Sequence, residues 1–173
     1  MGALSGALLA GCGAQVGGTD KGAPPASYET PPRTEPAAAS ARCTADRLDL
    51  ALGRAEPGAG DIHLPLLLTN TGTAPCTLKG HPGVSLLTAS GEPIGPPATR
   101  QAGPRPTAVV LAPGETGVAT LHTVAKGVSD RPCRPPASRI TVYAPGETAA
   151  LSTPARSFQV CGEVFEVSAV VPN

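Results

Sequence analysis

Two kinds of side chain in this sequence have the chemistry to do work: three histidines and five cysteines. Neutral imidazole suits copper and zinc, so His63, His81 and His122 would make a metal-handling site if the fold gathered them. Asp61 stands two residues before His63 and, with one of several serines, can be drawn as a hydrolytic triad, as almost any chain of this size permits. Nothing in the spacing gathers the histidines, and a solvated histidine on a strand face is the commoner case. The sequence holds no Gly-x-Ser-x-Gly elbow, no His-Glu-x-x-His, no phosphate-cradling Gly-Lys-Ser/Thr and no Cys-x-x-Cys. No catalytic residue, resident metal or cofactor is expected; a surface lipoprotein that handles copper or zinc through these histidines stands as the alternative to a non-enzymatic domain that binds a protein or cell-envelope component.

The cysteines speak more clearly. An odd count of five in a short chain suggests two disulfides and one cysteine with another fate. Cys12 ends an apolar run, and Leu9-Ala10-Gly11-Cys12 matches the lipobox of bacterial lipoproteins. Small residues before the cysteine let the chain lie extended in a signal peptidase, and the thiol accepts diacylglycerol. Two acyl chains on one residue give stable membrane anchoring where a single chain is marginal. Secretory signals carry a basic n-region, and no Lys or Arg precedes Cys12, so the expectation is a signal that starts upstream of Met1. Residues 1–12 are thus expected to be the end of a signal segment, with Cys12 as the lipidated residue.

Residues 13–42 show no hydrophobic periodicity and are rich in Gly, Pro and Ala. Such a segment is expected to be a disordered tether, spanning on the order of 30 Å root-mean-square. The elements that must carry any site therefore lie in residues 43–173. Glycine (21) and proline (21) make up roughly a quarter of the 173 residues, against about 12 percent in ordinary proteins. That leaves no room for long helices. Basic and acidic residues balance at 13 each, so there is no electrostatic footprint for nucleic acid or an anionic membrane surface. With no Trp, two Tyr and two Phe, the core must rest on Leu, Val and Ile with covalent help.

Short strands separated by turn signals fill the folded part. Leu48, Leu50 and Leu52 alternate with polar or small residues, as do Ile62, Leu64, Leu66 and Leu68. Pro65 cannot donate to a ladder, so its strand is expected to have a free edge or a bulge there. Asn70 and Gly72 are expected to turn the chain in left-handed backbone angles. The run from Cys76 breaks at Gly80-His81-Pro82-Gly83 and resumes at Val84; a long Pro/Gly-rich loop covers 91–107. Two strands are expected around Ala112-Pro113-Gly114-Glu115, one at 139–144 and one at 156–161. Seven or eight strands without a helix predict an all-β fold, an antiparallel β-sandwich.

Four cysteines allow three connectivities. A hairpin of 43–52 with 61–70 brings Cys43 near Cys76, and pairing of 139–144 with 156–161 brings Cys161 near Cys133. This connectivity, Cys43–Cys76 and Cys133–Cys161, needs the least chain travel.

The strings Leu68 to Gly95, Leu111 to His122, Cys133, Ile140 to Gly146 and Phe158 to Gly162 together resemble a family described only as a domain of unknown function, widespread in secreted and lipid-anchored proteins of actinobacteria. The resemblance covers about residues 43–172, and Asn70 to Gly83 is its most specific piece. It implies an immunoglobulin-like β-sandwich, an extracytoplasmic location and Cys43, Cys76, Cys133 and Cys161 as a shared frame. It implies no activity. The scarcity of aromatics disfavours sugar stacking and aromatic cages. The expected partner is a protein or cell-envelope component, met by loops such as 91–107 and 126–138; membrane contact is expected through the lipid anchor only, with no nucleic acid.

Overall fold

The computed structural model describes residues 40–173, which fold as thirteen short strands and one 3-10 turn, Ala45–Arg47. In chain order they are β1 (Ala41–Arg42), β2 (Leu48–Leu52), β3 (Glu56–Gly58), β4 (Asp61–Asn70), β5 (Cys76–Leu78), β6 (Gly83–Leu87) and β7 (Thr99–Arg100). There follow β8 (Val109–Leu111), β9 (Thr116–Val124), β10 (Arg139–Tyr143), β11 (Ala150–Pro154), β12 (Glu166–Val167) and β13 (Val171–Pro172). No helix among the described residues is long and apolar enough to cross a membrane. The expected lipidation site Cys12, and the tether up to residue 39, lie outside the described residues. Ala41 and Arg42, at the end of the segment expected to be tether, already pair with Cys76 and Thr77.

The largest sheet runs β2-β4-β9-β12-β7, with β3 on the edge of β4 that also holds β2, and β13 beside β12 on β9. Two three-stranded sheets, β11-β10-β6 and β1-β5-β8, supply the facing layer. Their inner faces share one hydrophobic cluster, so the chain is an all-β sandwich. The pairing is antiparallel except for two parallel pairs, β1 with β5 and β12 with β7, each of two residues.

Alternation explains the layers. Leu48, Leu50 and Leu52 on β2 and Leu64, Leu66 and Leu68 on β4 point into the core, while Asp49 faces solvent. Across from them β9 places small residues opposite large ones: Gly117 faces Leu68 and Ala119 faces Leu66. A Cβ at Gly117 would stand 2.8 Å from Val170, so only glycine lets β13 close over that end. The break at Gly80–Pro82 hands the chain from one small sheet to the other, since β5 pairs with β8 and β6 with β10. Gaining strands in two sheets is what the interruption accomplishes.

Two expectations are corrected. Neither Asn70 nor Gly72 has a positive φ. Asn70 instead turns the chain with its side chain: it is fully buried, donates from Nδ2 to Ala74 O (3.0 Å) and Leu111 O (2.9 Å), and accepts from Gly72 N (2.9 Å). Its backbone N and O bond Glu115 O and Gly114 N, so one residue ties β4 to both neighbouring turns. The second correction concerns β10, whose partners are β6 and β11 rather than residues 156–161. Residues 134–137 run beside 158–160 through two hydrogen bonds, Arg134 N to Val160 O and Ala137 N to Phe158 O. That pairing lies just ahead of β10 and brings the same two cysteines together. The disulfides are Cys43–Cys76 and Cys133–Cys161, the connectivity the strand layout predicts.

Candidate functional site

The three histidines do not converge. His63 on β4 and His122 on β9 are register partners, and their rings stack with centroids 5.0 Å apart and planes 13° from parallel. His81 lies in the loop whose Gly80 carbonyl accepts from Val170, beside the far end of β9 where Val171 pairs with Val118. Imidazole lone pairs lie in the ring plane, so two near-parallel rings aim theirs side by side rather than at a common point. Among the described residues no three metal-ligating side chains are placed to hold one metal ion together.

Asp61 does meet a histidine, but the register makes it His122, across the sheet, rather than its sequence neighbour His63. His122 Nε2 is 2.8 Å from Asp61 Oδ1, and Nδ1 is 3.4 Å from Glu166 Oε2 on β12. Its pKa is raised, chiefly by the Asp61 hydrogen bond; burial opposes this, and Glu166 adds a smaller upward push. A general base needs one ring nitrogen for its nucleophile and the other for an orienting carboxylate. Here both nitrogens face carboxylates, an arrangement suited to holding an imidazolium and bracing β4, β9 and β12 across the sheet.

A second site comes from the backbone. Leu52 pairs with Leu66 and Glu56 with His63, so three residues, 53–55, oppose two, 64 and 65. This is the bulge that Pro65 implies. Gly53 N donates to Pro65 O (2.9 Å), and the proline ring has no N–H to return the bond, so β2 stops at Leu52. Gly53 is required there, because a Cβ would stand 2.9 Å from that of Pro65.

The bulge forms one lip of a cavity of about 470 Å³ at the end of the sandwich, within the range of small-molecule sites. Leu52, Ile62 and Leu64 line it from the large sheet, and Ala155, Phe158 and Cys161 from the closing segment. Thr123, buried at the end of β9, fixes that segment. Its hydroxyl accepts from Cys161 N (3.1 Å) and donates to Cys161 O (3.3 Å), so the Cys133–Cys161 bridge is pinned to the sheet. The mouth is cationic. Arg54 comes from the bulge, Lys126 from the loop after β9 and Arg156 from the turn after β11, all three exposed, and no carboxylate lines the cavity. Among the described residues none of the three makes an ion pair.

Sequence reading found the bulge but not these cations, which lie tens of residues apart in segments with no shared motif. Of the loops expected to meet a partner, 126–138 contributes Lys126. Loop 91–107 is fastened to the sandwich at three points: Ile94 is buried, Thr99–Arg100 form β7, and the Arg134 guanidinium holds Pro96 O (3.0 Å) while lying 5.5 Å from the Phe165 ring. Burial lowers the Arg134 pKa, consistent with that structural use. Between those anchor points the loop is exposed, at 91–93, 95–97 and the tip, 102–105.

No curated protein matches the chain. The model of a domain of unknown function, DUF4232, matches residues 43–171, the whole span from the first disulfide cysteine to β13, and the chain belongs to that family.

Proposed function

We propose that the chain is a non-enzymatic, extracytoplasmic binding domain, anchored to the membrane by lipid on Cys12 and recognising a cell-envelope component. The observation that carries the reading is the cavity: an apolar pocket at the open end of a sandwich, braced by a disulfide and lipped by a bulge. Rigid scaffolds that present a concave apolar site with a few polar groups are suited to binding. The histidine cluster supports the non-enzymatic half, because both His122 nitrogens are spent on carboxylates. Disulfides persist in oxidising compartments, which favours the far side of the membrane.

Intact mass of the non-reduced protein from native membranes tests this. The expected result is a chain beginning at Cys12, carrying diacylglycerol, lacking the hydrogens of two disulfides and bringing a small-molecule adduct. Cys12→Ala is expected to release the domain into the medium. An unmodified chain with free thiols would overturn the reading.

A further inference from the structure

We propose that the cavity binds a single-chain anionic amphiphile, its alkyl chain between the sheet and the closing segment and its acidic head among Arg54, Lys126 and Arg156. The inference rests on the binding-domain reading and names its ligand class. An apolar interior alone would accept any greasy molecule. The rim makes the choice.

Three cations from three separate segments of the chain meet at one mouth. Lysines and arginines on a protein surface are ordinarily interspersed with carboxylates, and in this chain the 13 basic and 13 acidic residues cancel. Within the cavity lining they do not: there are three cations and no acid. Asp61 and Glu166 are engaged by His122 and Glu163 by Arg131, and Glu56, which follows the lip residue Ala55, does not line the cavity. Guanidinium groups form paired hydrogen bonds with carboxylate or phosphate oxygens, so two arginines and a lysine suit one acidic head.

The backbone at the mouth points the same way. Arg156 and Ser157 both have positive φ, 49° and 61°, in a tight turn closed by Phe158 N donating to Ala155 O (2.9 Å). Turns of that hand favour glycine and asparagine, so an arginine and a serine there are strained. Strained residues gather at ligand sites, where the surroundings over-determine them. This turn has two effects: Phe158 goes into the cavity lining, buried, and Arg156 stays on the exposed rim. A ligand with an apolar body and a charged head matches that division. An acidic peptide would use the rim and leave the interior unfilled.

The test uses the oxidised full chain carrying Cys12→Ser, which removes the protein's own lipid, and reads binding by calorimetry. Dodecanoate is the probe, with dodecyltrimethylammonium and acetate as controls of head charge and chain. Dodecanoate is expected to bind at one site, at least about tenfold tighter than the cationic amphiphile, with no measurable acetate binding. The variant Arg54→Gln/Lys126→Gln/Arg156→Gln changes only exposed side chains; it should keep its melting temperature and lose about tenfold or more in dodecanoate affinity. Ala55→Trp, at the exposed lip, should abolish binding by filling the mouth. Equal affinity for both amphiphiles, no dodecanoate binding, or full affinity in the triple variant would overturn the proposal. A failure here alongside lipid and an adduct on the native protein leaves the binding-domain reading standing with a different ligand; a failure of the native mass experiment removes that reading itself.

Discussion

His122 shows how one residue's titration enters stability. On β9 it faces Asp61 and His63 of β4 and Glu166 of β12, while Glu56 of β3 pairs with His63. Its pKa is raised in the folded chain, first by Asp61. A histidine bound more tightly to its proton when folded contributes stability that is fully present below its unfolded pKa, about 6.5. That contribution is lost as pH rises through the folded value. The imidazole side chain is 19% exposed but Asp61 is 37% exposed, so solvent screens the pair and about 0.5–1 kcal/mol is the expected size. Against His122→Gln, the wild type should therefore be more stable by that amount at pH 6, with the gap closing by pH 9, in urea unfolding at each pH. A gap that widens with pH would show the pair working in the opposite sense.

At the scale of elements, the bulge depends on a fit between one strand end and one ring. Gly53 and Pro65 approach so closely that a Cβ on residue 53 would meet the proline Cβ at 2.9 Å. Relief requires the lip to move, so Gly53→Ala is expected to cost about 1–3 kcal/mol, read as a shift in denaturation midpoint. Because the lip also lines the cavity, the same variant should weaken dodecanoate binding; unaltered stability would mean the bulge relaxes freely. Pro65 is also the clearest case of what the sequence made legible. A proline in a leucine-alternating strand implies a free edge or a bulge, and the structure shows the bulge. The alternating strands β2 and β4 and the Pro113-Gly114 turn between β8 and β9 were equally readable, because period two and turn chemistry are local. The closing strands were not. β7, β12 and β13 are two-residue pairings whose partners are set by tertiary contact, and residues 156–161 look strand-like yet form the cavity wall. Asn70 was readable as a turn residue but not as a buried three-bond knot, since the carbonyl of Leu111 that it holds is 41 residues away. The rim cations carried no signal at all, because only the folded register brings Arg54, Lys126 and Arg156 to one mouth.

For the whole molecule, the question is what holds a sandwich that has no tryptophan and, among the described residues, only Phe158 and Phe165 as buried aromatics. Its largest fully buried side chains are leucines, valines and one isoleucine, from Leu66 and Leu68 to Ile140 and Val170. The two disulfides join residues 33 and 28 apart, and in the chain-entropy model each contributes about 3–4 kcal/mol by restricting the unfolded state. Together they amount to about 6–8 kcal/mol, comparable with the 5–15 kcal/mol by which typical domains are stable at all. They also act at different places. Cys43–Cys76 fastens the start of the fold beside β5, and Cys133–Cys161 holds two loop segments that share few ladder bonds. Reduction of both should therefore lower the midpoint of thermal unfolding by about 20–30 °C or remove the cooperative transition, measured by circular dichroism with and without dithiothreitol. Under milder reduction, hydrogen exchange should rise first around 126–138 and 155–162, where the bridge substitutes for strand pairing, while β4 and β9 stay protected. A loss of only a few degrees would show that the aliphatic core suffices alone. It would also remove the physical reason for expecting this domain to need an oxidising compartment, whereas the larger loss makes folding, cavity and location a single requirement.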